Sequence, residues 1–272
     1  MTKICDNSFS NNSTFKEFIV NNVLCECIFD DSFKTLLNER YEEMEKMTCD
    51  IPERSYENFP LNEKFEAVRN LHNLGLDLPI WISGGNEEFL KDDIYKERFV
   101  SNPNLSHKRI MLVGIEPHRN EQKDGTISLS SPWGIHSSEY CKKKASNAAL
   151  ILHFISLLVR NGADLYATDY LKFYGLADSN NDSNYVREIL NDNQTFIEQT
   201  KRCLENEMQI VMPDYVIFLG QTIKKWQRKI VKPNFNVINQ HKEIYINHPN
   251  SLRAGFTEDR KIKYYEDIIK KL

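Results

Sequence analysis

Four short segments of this 272-residue chain carry residue types that can do chemistry on a bound molecule. Gly114-Ile115-Glu116-Pro117-His118 sets a carboxylate near an imidazole. Ser130-Ser131-Pro132-Trp133-Gly134 places an indole in a polar stretch. Thr168-Asp169 supplies a second carboxylate, with Lys172 close behind. His248-Pro249-Asn250-Ser251-Leu252-Arg253 combines an imidazole, a hydroxyl and a guanidinium. A carboxylate such as Glu116, placed after a buried strand, can orient a water or stabilise positive charge at a breaking bond. It can equally cap a turn or a helix start. Other chemistries lack their signatures: there is no Gly-x-Ser-x-Gly elbow and no Gly-rich phosphate loop. The six cysteines are irregularly spaced, and only Cys25 and Cys27 lie close together. That pattern does not suit a zinc or iron–sulfur site, so no metal is expected and the thiols are expected to be reduced.

The elements that must hold these segments can be read from the apolar runs. Arg109–Gly114, Leu165–Thr168 and Tyr215–Gly220 are short, mostly apolar runs, two of them closed by glycine, and read as buried strands. Glu243–Asn247 alternates and reads as a fourth. Between them, Ala145–Arg160 is apolar nearly all round and should be a buried helix. Tyr185–Met208 shows the amphipathic helical period, after a polar loop at residues 178–184. Strands alternating with such helices imply an α/β fold. Specifically, an αβα sandwich is expected around a four-stranded, mainly parallel sheet. Three of the four segments then follow strand ends and converge at one edge, where ligands of such sheets bind. Residues 1–100 read as a mainly helical, acidic extension, with helices expected at Asp31–Met47 and Asn62–Leu74. Residues 101–272 read as the core domain.

Charge divides along the same line. Residues 1–100 hold 11 Lys+Arg against 20 Asp+Glu, a balance of −9. From chain totals of 35 and 39, residues 101–272 keep 24 against 19, a balance of +5. A basic half is where phosphate contacts belong. Lys224, Lys225 and Arg228 form one basic run, and Lys142, Lys143 and Lys144 another; each either meets phosphate or is a solvated face. No apolar run approaches the roughly 20 residues of a membrane span, and the first residues lack an apolar signal segment. A monomer in the cytoplasm, with no membrane partner, is therefore expected.

Taken in order, the segments resemble the uracil-DNA glycosylase superfamily. Its members carry a Gly-Gln-Asp-Pro-Tyr-type motif after the first core strand, then a Pro-Phe-Gly-like segment. An Asn follows the second strand, and a His-Pro-Ser-Pro-Leu-type motif lies near the end. Here these read Gly114-Ile115-Glu116-Pro117-His118, Pro132-Trp133-Gly134, Thr168-Asp169-Tyr170 and His248-Pro249-Asn250-Ser251-Leu252. The resemblance covers roughly residues 105–260. It implies an enzyme that flips a base out of DNA and hydrolyses its glycosidic bond with water, without cofactor, metal or lysine nucleophile. Glu116 would stand for the catalytic Asp, one methylene longer. His248 would donate to the base carbonyl oxygen as charge builds there. Ile115, His118, Trp133 and Asp169 would line the base pocket, with Trp133 stacked on the base. Ser251, Leu252 and Arg253 would meet DNA, Leu252 as the wedge that fills the gap left by the base.

Asp169 departs from the family's Asn and bears on specificity. That Asn accepts from the uracil ring N–H and donates to the neighbouring carbonyl oxygen. Cytosine presents the opposite pattern, which an Asp matches. Mispaired buried polar groups reject analogues strongly. A modified cytosine, as in some phage DNA, is then the expected substrate, with antiviral defence as its setting; uracil is the other candidate. His118, smaller than the Tyr of many uracil-specific relatives, would admit a 5-substituent. The substitutions at Glu116 and Asp169 also suit a glycosylase-fold protein that binds DNA without catalysis.

Overall fold

The computed structural model describes residues 54–57, 73–115, 126–135, 142–144, 146–176, 194–220, 241–252 and 255–272. In chain order the elements are β1 (Arg54–Glu57), β2 (Asn73–Asp77), β3 (Ile80–Ile82) and the single-turn α1 (Glu87–Leu90). Then come β4 (Arg109–Gly114), β5 (Thr126–Ser130), α2 (Asn147–Arg160), β6 (Asp164–Asp169) and β7 (Phe173–Leu176). The chain continues with α3 (Gln194–Val211), β8 (Tyr215–Leu219), β9 (Lys242–Ile246) and α4 (Glu258–Ile269).

The central sheet runs β3-β6-β4-β8-β9. Its four inner and far strands are the four expected from the apolar runs, and they pair in parallel. The fifth, β3, lies antiparallel against β6, with Ile80 opposite Ala167. The sheet is therefore five-stranded and mixed, not four-stranded and parallel. Ile80-Trp81-Ile82 is too short for a period to show, and only pairing with β6 makes it a strand. Residues of β4, β6 and β8 are almost wholly buried, which is why those runs lack alternation.

Chain order fixes the layers. From β4 the chain crosses through α2 to β6 on one side. From β6 it returns through α3 to β8 on the other side. Right-handed crossovers in opposite directions put α2 and α3 on opposite faces, an arrangement compatible with an αβα sandwich. Connections leave β4 and β8 in opposite directions, so the crevice of such sheets opens beyond their carboxyl ends.

A second sheet, β1-β5-β2-β7, departs from the expected helical N-terminal extension. β1 and β2 come from the first hundred residues and pair with β5 and β7 from beyond them. Asn73 and Leu74, expected to end a helix, lie in β2. The helix expected at Asp31–Met47 lies outside the described residues, as do residues 62–72 of the other. This sheet matters to function because β5 leads directly into Pro132-Trp133-Gly134. β7 begins directly after Asp169–Lys172.

The helix α2 is the packing centre. Ser146 caps it by accepting from the Ala149 N–H, and every residue from Ala148 to Val159 is buried. Phe154 packs on Tyr265 of α4, ring centroids 5.2 Å apart. Truncating Phe154 to alanine would cost about 3–5 kcal/mol. His153, in the middle of this apolar helix, sets Nδ1 2.9 Å from Asp93 Oδ2. On α3, Cys203 is disulfide-bonded, so the expectation of reduced thiols fails at this residue.

Candidate functional site

Gly114, the last residue of β4, is where the sequence segments meet. A methyl group added to it would lie 2.0 Å from Asp169 Oδ1 and 3.0 Å from Trp133 Cζ2. The Asp169 carboxylate and the Trp133 ring edge thus both lie over the bare Cα of Gly114, and only glycine leaves them room. Asp169, ending β6, is 2% exposed. It sits opposite Gly114 in the parallel register, and the pairing continues past the strand ends. Tyr170 N–H donates to the Gly114 carbonyl (2.8 Å), and Leu171 N–H to the Ile115 carbonyl (2.9 Å). Ile115 is half-buried against the core.

Trp133 occupies a 3₁₀ turn at Pro132–Gly134, with φ 56° and ψ 11°. The left-handed region is uncommon for a bulky residue and costs on the order of 1–3 kcal/mol. The turn, rigid at Pro132, holds the indole half-buried over the strand ends.

On the other side of β4, β8 is followed by Gly220, whose φ is 110°. A methyl there would lie 3.7 Å from His248 Cβ, so His248, following β9, sits beside the end of β8. His248 caps a 3₁₀ turn at Pro249–Ser251: its Nδ1 accepts from the Asn250 N–H at 3.2 Å. Ser251 Oγ donates to the His248 carbonyl at 2.8 Å. Burial lowers the imidazole to about pKa 4, so it is neutral at physiological pH. With Nδ1 accepting, its one proton lies on Nε2, which makes that nitrogen a donor. The turn is tied to the start of α2 by a hydrogen bond from the Asn147 side-chain amide to Asn250 Oδ1.

Not every expected residue behaves as expected. Leu252 is 7% exposed and belongs to the hydrophobic core; the structure gives it a packing role in place of an exposed wedge. Lys142, Lys143 and Lys144 are exposed, and Lys142 pairs with the buried Asp92 at 3.1 Å. Glu116, His118, Arg253, Lys224, Lys225 and Arg228 lie outside the described residues.

Sequence reasoning misses a polar cluster behind Asp169. Lys172 Nζ donates to Glu207 Oε2, to Thr168 Oγ1 and to the Asp169 carbonyl, each at 2.6 Å. Glu207 Oε1 accepts from the Tyr166 hydroxyl (2.6 Å) and the Thr168 hydroxyl (3.0 Å). Desolvation lowers the Lys172 pKa, against the raising effects of Glu207 and of Asp169. A signal is present: Leu204, Glu207, Met208 and Val211 form the buried stripe of α3, and a glutamate within such a stripe needs a buried partner.

Among the described residues, no group of His, Cys, Asp and Glu could hold a metal ion, and no helix is long and apolar enough to cross a membrane. No family model and no curated protein matches this chain.

Proposed function

We propose that this chain is a monofunctional DNA glycosylase that extrudes a base and hydrolyses its glycosidic bond. The observation that carries the reading is the meeting of Trp133 and Asp169 over Gly114, with a neutral His248 at the neighbouring strand end. An indole edge, a buried hydrogen-bonding carboxylate and a neutral imidazole donor are what a planar heterocycle requires for stacking and for recognition of its edges.

In this reading, His248 Nε2–H stabilises negative charge that builds on the departing base, a contribution present only in the transition state. Asp169, as an acceptor, pairs with an exocyclic amino group. A cytosine-type base, 5-substituted as in some phage DNA, is therefore the favoured substrate, with uracil second. Glu116, which follows Ile115 in the chain, would orient the attacking water or stabilise the sugar cation. The basic surplus of residues 101–272 would hold DNA through phosphates.

The deciding experiment incubates the protein with DNAs carrying uracil, cytosine or 5-substituted cytosines and assays abasic sites by alkaline cleavage. Abasic sites at a substituted cytosine or at uracil are expected. DNA binding without release of any base would leave a catalytically inactive DNA-binding protein, and neither binding nor release would reject both.

A further inference from the structure

The buried pair Lys172–Glu207 has no evident purpose in stability. Both side chains are almost wholly buried, 3% and 0% exposed. Ion pairs in such places are often replaced by apolar residues without loss. Among the described residues, the cluster gathers at the carboxyl end of β6. Alternation along the strand puts Tyr166 and Thr168 on the face toward α3 and Asp169 on the opposite face. Lys172 nevertheless reaches Asp169 through its main-chain carbonyl at 2.6 Å. From the β4 side, the Gly114 and Ile115 carbonyls hold Tyr170 and Leu171. Asp169 is thus clamped by its main chain from two directions while its carboxylate lies over Gly114.

The three hydrogens of the ammonium meet three acceptors. That saturation leaves no free hydrogen for an acid–base role. It makes Lys172 a fixed fork between the helix α3 and the strand end.

We infer that Lys172, anchored by Glu207, is the positioning residue for Asp169, fixing the aim of the carboxylate and hence the preference for a base with an exocyclic amino group. The base-selective part of this inference rests on the glycosylase reading, whereas the positioning part does not.

The test is the double variant Lys172→Met with Glu207→Gln. Removing Lys172 alone would strand a buried carboxylate and unfold the chain. The amide that Glu207→Gln introduces keeps an acceptor for Tyr166 and Thr168. Two measurements are made on protein shown to be folded by cooperative thermal melting. The first is the ratio of single-turnover base release from a 5-substituted cytosine against uracil. It should fall at least about fivefold, the lower end of the effect of one mispaired buried polar group. The second is the crystal structure of parent and variant, in which the carboxylate should leave its place over Gly114. An unmoved carboxylate, or equal loss of both rates at constant ratio, would reduce Lys172 to a core brace and overturn the inference. A parent that releases neither base would sink the glycosylase reading alone, and the crystallographic comparison would still decide the positioning.

Discussion

The two walls of the crevice are built differently. On the β6 side, Asp169 is held by strand pairing to β4, by the Gly114 and Ile115 carbonyls, and by a buried polar cluster reaching into α3. On the β8 side, His248 rests on its own 3₁₀ turn, which Asn250 ties to Asn147 of α2, and on Asn247, whose main chain is held by the Tyr264 and Tyr265 hydroxyls of α4. A wall clamped from several elements suits discrimination, because a hydrogen-bonding edge rejects the wrong partner only if it cannot turn away. A neutral imidazole on a short turn after a strand end suits a donor to charge that builds there. Under the proposed glycosylase function, the contrast would assign selectivity to Asp169 and rate to His248.

The largest effect should come from the β8 side. His248→Ala is expected to lower single-turnover base release by about 10²–10³-fold, as for loss of one donor to developing charge. The ratio of substituted cytosine to uracil should hardly change. A changed ratio would mean that both walls read the base. Next, Gly114→Ala pushes a methyl into Asp169 and Trp133 at once. It should cost about 10²-fold in release on every base, the scale of a displacement of about 1 Å. Full activity in that variant would show that the two side chains do not work from the positions described.

Asp169→Asn should act on the ratio. It exchanges an acceptor for a donor at constant shape, and the preference should move toward uracil by about 5- to 150-fold. Equal losses on both bases would make Asp169 a support residue and ordinary uracil repair the better reading. The smallest effect concerns stability. His248 has its ordinary value of 6.5 lowered to about 4 in the folded state. Between these values the unfolded chain binds a proton that the folded chain refuses. Stability should therefore rise from about pH 4 to about pH 6.5 and level off above. Thermal melting of His248→Asn against the parent should show a shallower rise over that window; identical curves would place the proton uptake elsewhere.

The central sheet is legible in the sequence because its strands are buried on both faces. Met111–Val113 and Val216–Leu219 have no polar position to interrupt them, and Gly114 and Gly220 mark where each ends. Parallel strands alternating with helices then put Asp169 and His248 at one edge from sequence alone. The second sheet is hidden for the opposite reason. Its strands, such as Arg54–Glu57 and Thr126–Ser130, are short and largely polar, and become strands only by pairing with each other across the chain. Leu252 shows the limit of a motif, which names a residue type without saying which way its side chain faces; here it is buried. Lys172 and Glu207, one after a strand and the other on a helix, show no sequence spacing that would pair them.

The position of β2 has a consequence for how the molecule comes into being. It lies between β5 and β7, and pairs Leu76 with Phe173, far downstream in the chain. Closing so long a span carries a conformational entropy cost before any contact repays it, which makes such pairings late events in folding. The turn bearing Trp133 leaves that sheet at the same end at which the Asp169–Lys172 segment enters it, beside Leu76 and Asp77 of β2. During synthesis, β1 and β2 must wait for β5 and β7 to emerge before the second sheet is complete. A chain arrested before that point would display the unpaired edges of β2 and β5, and such edges invite association with other chains.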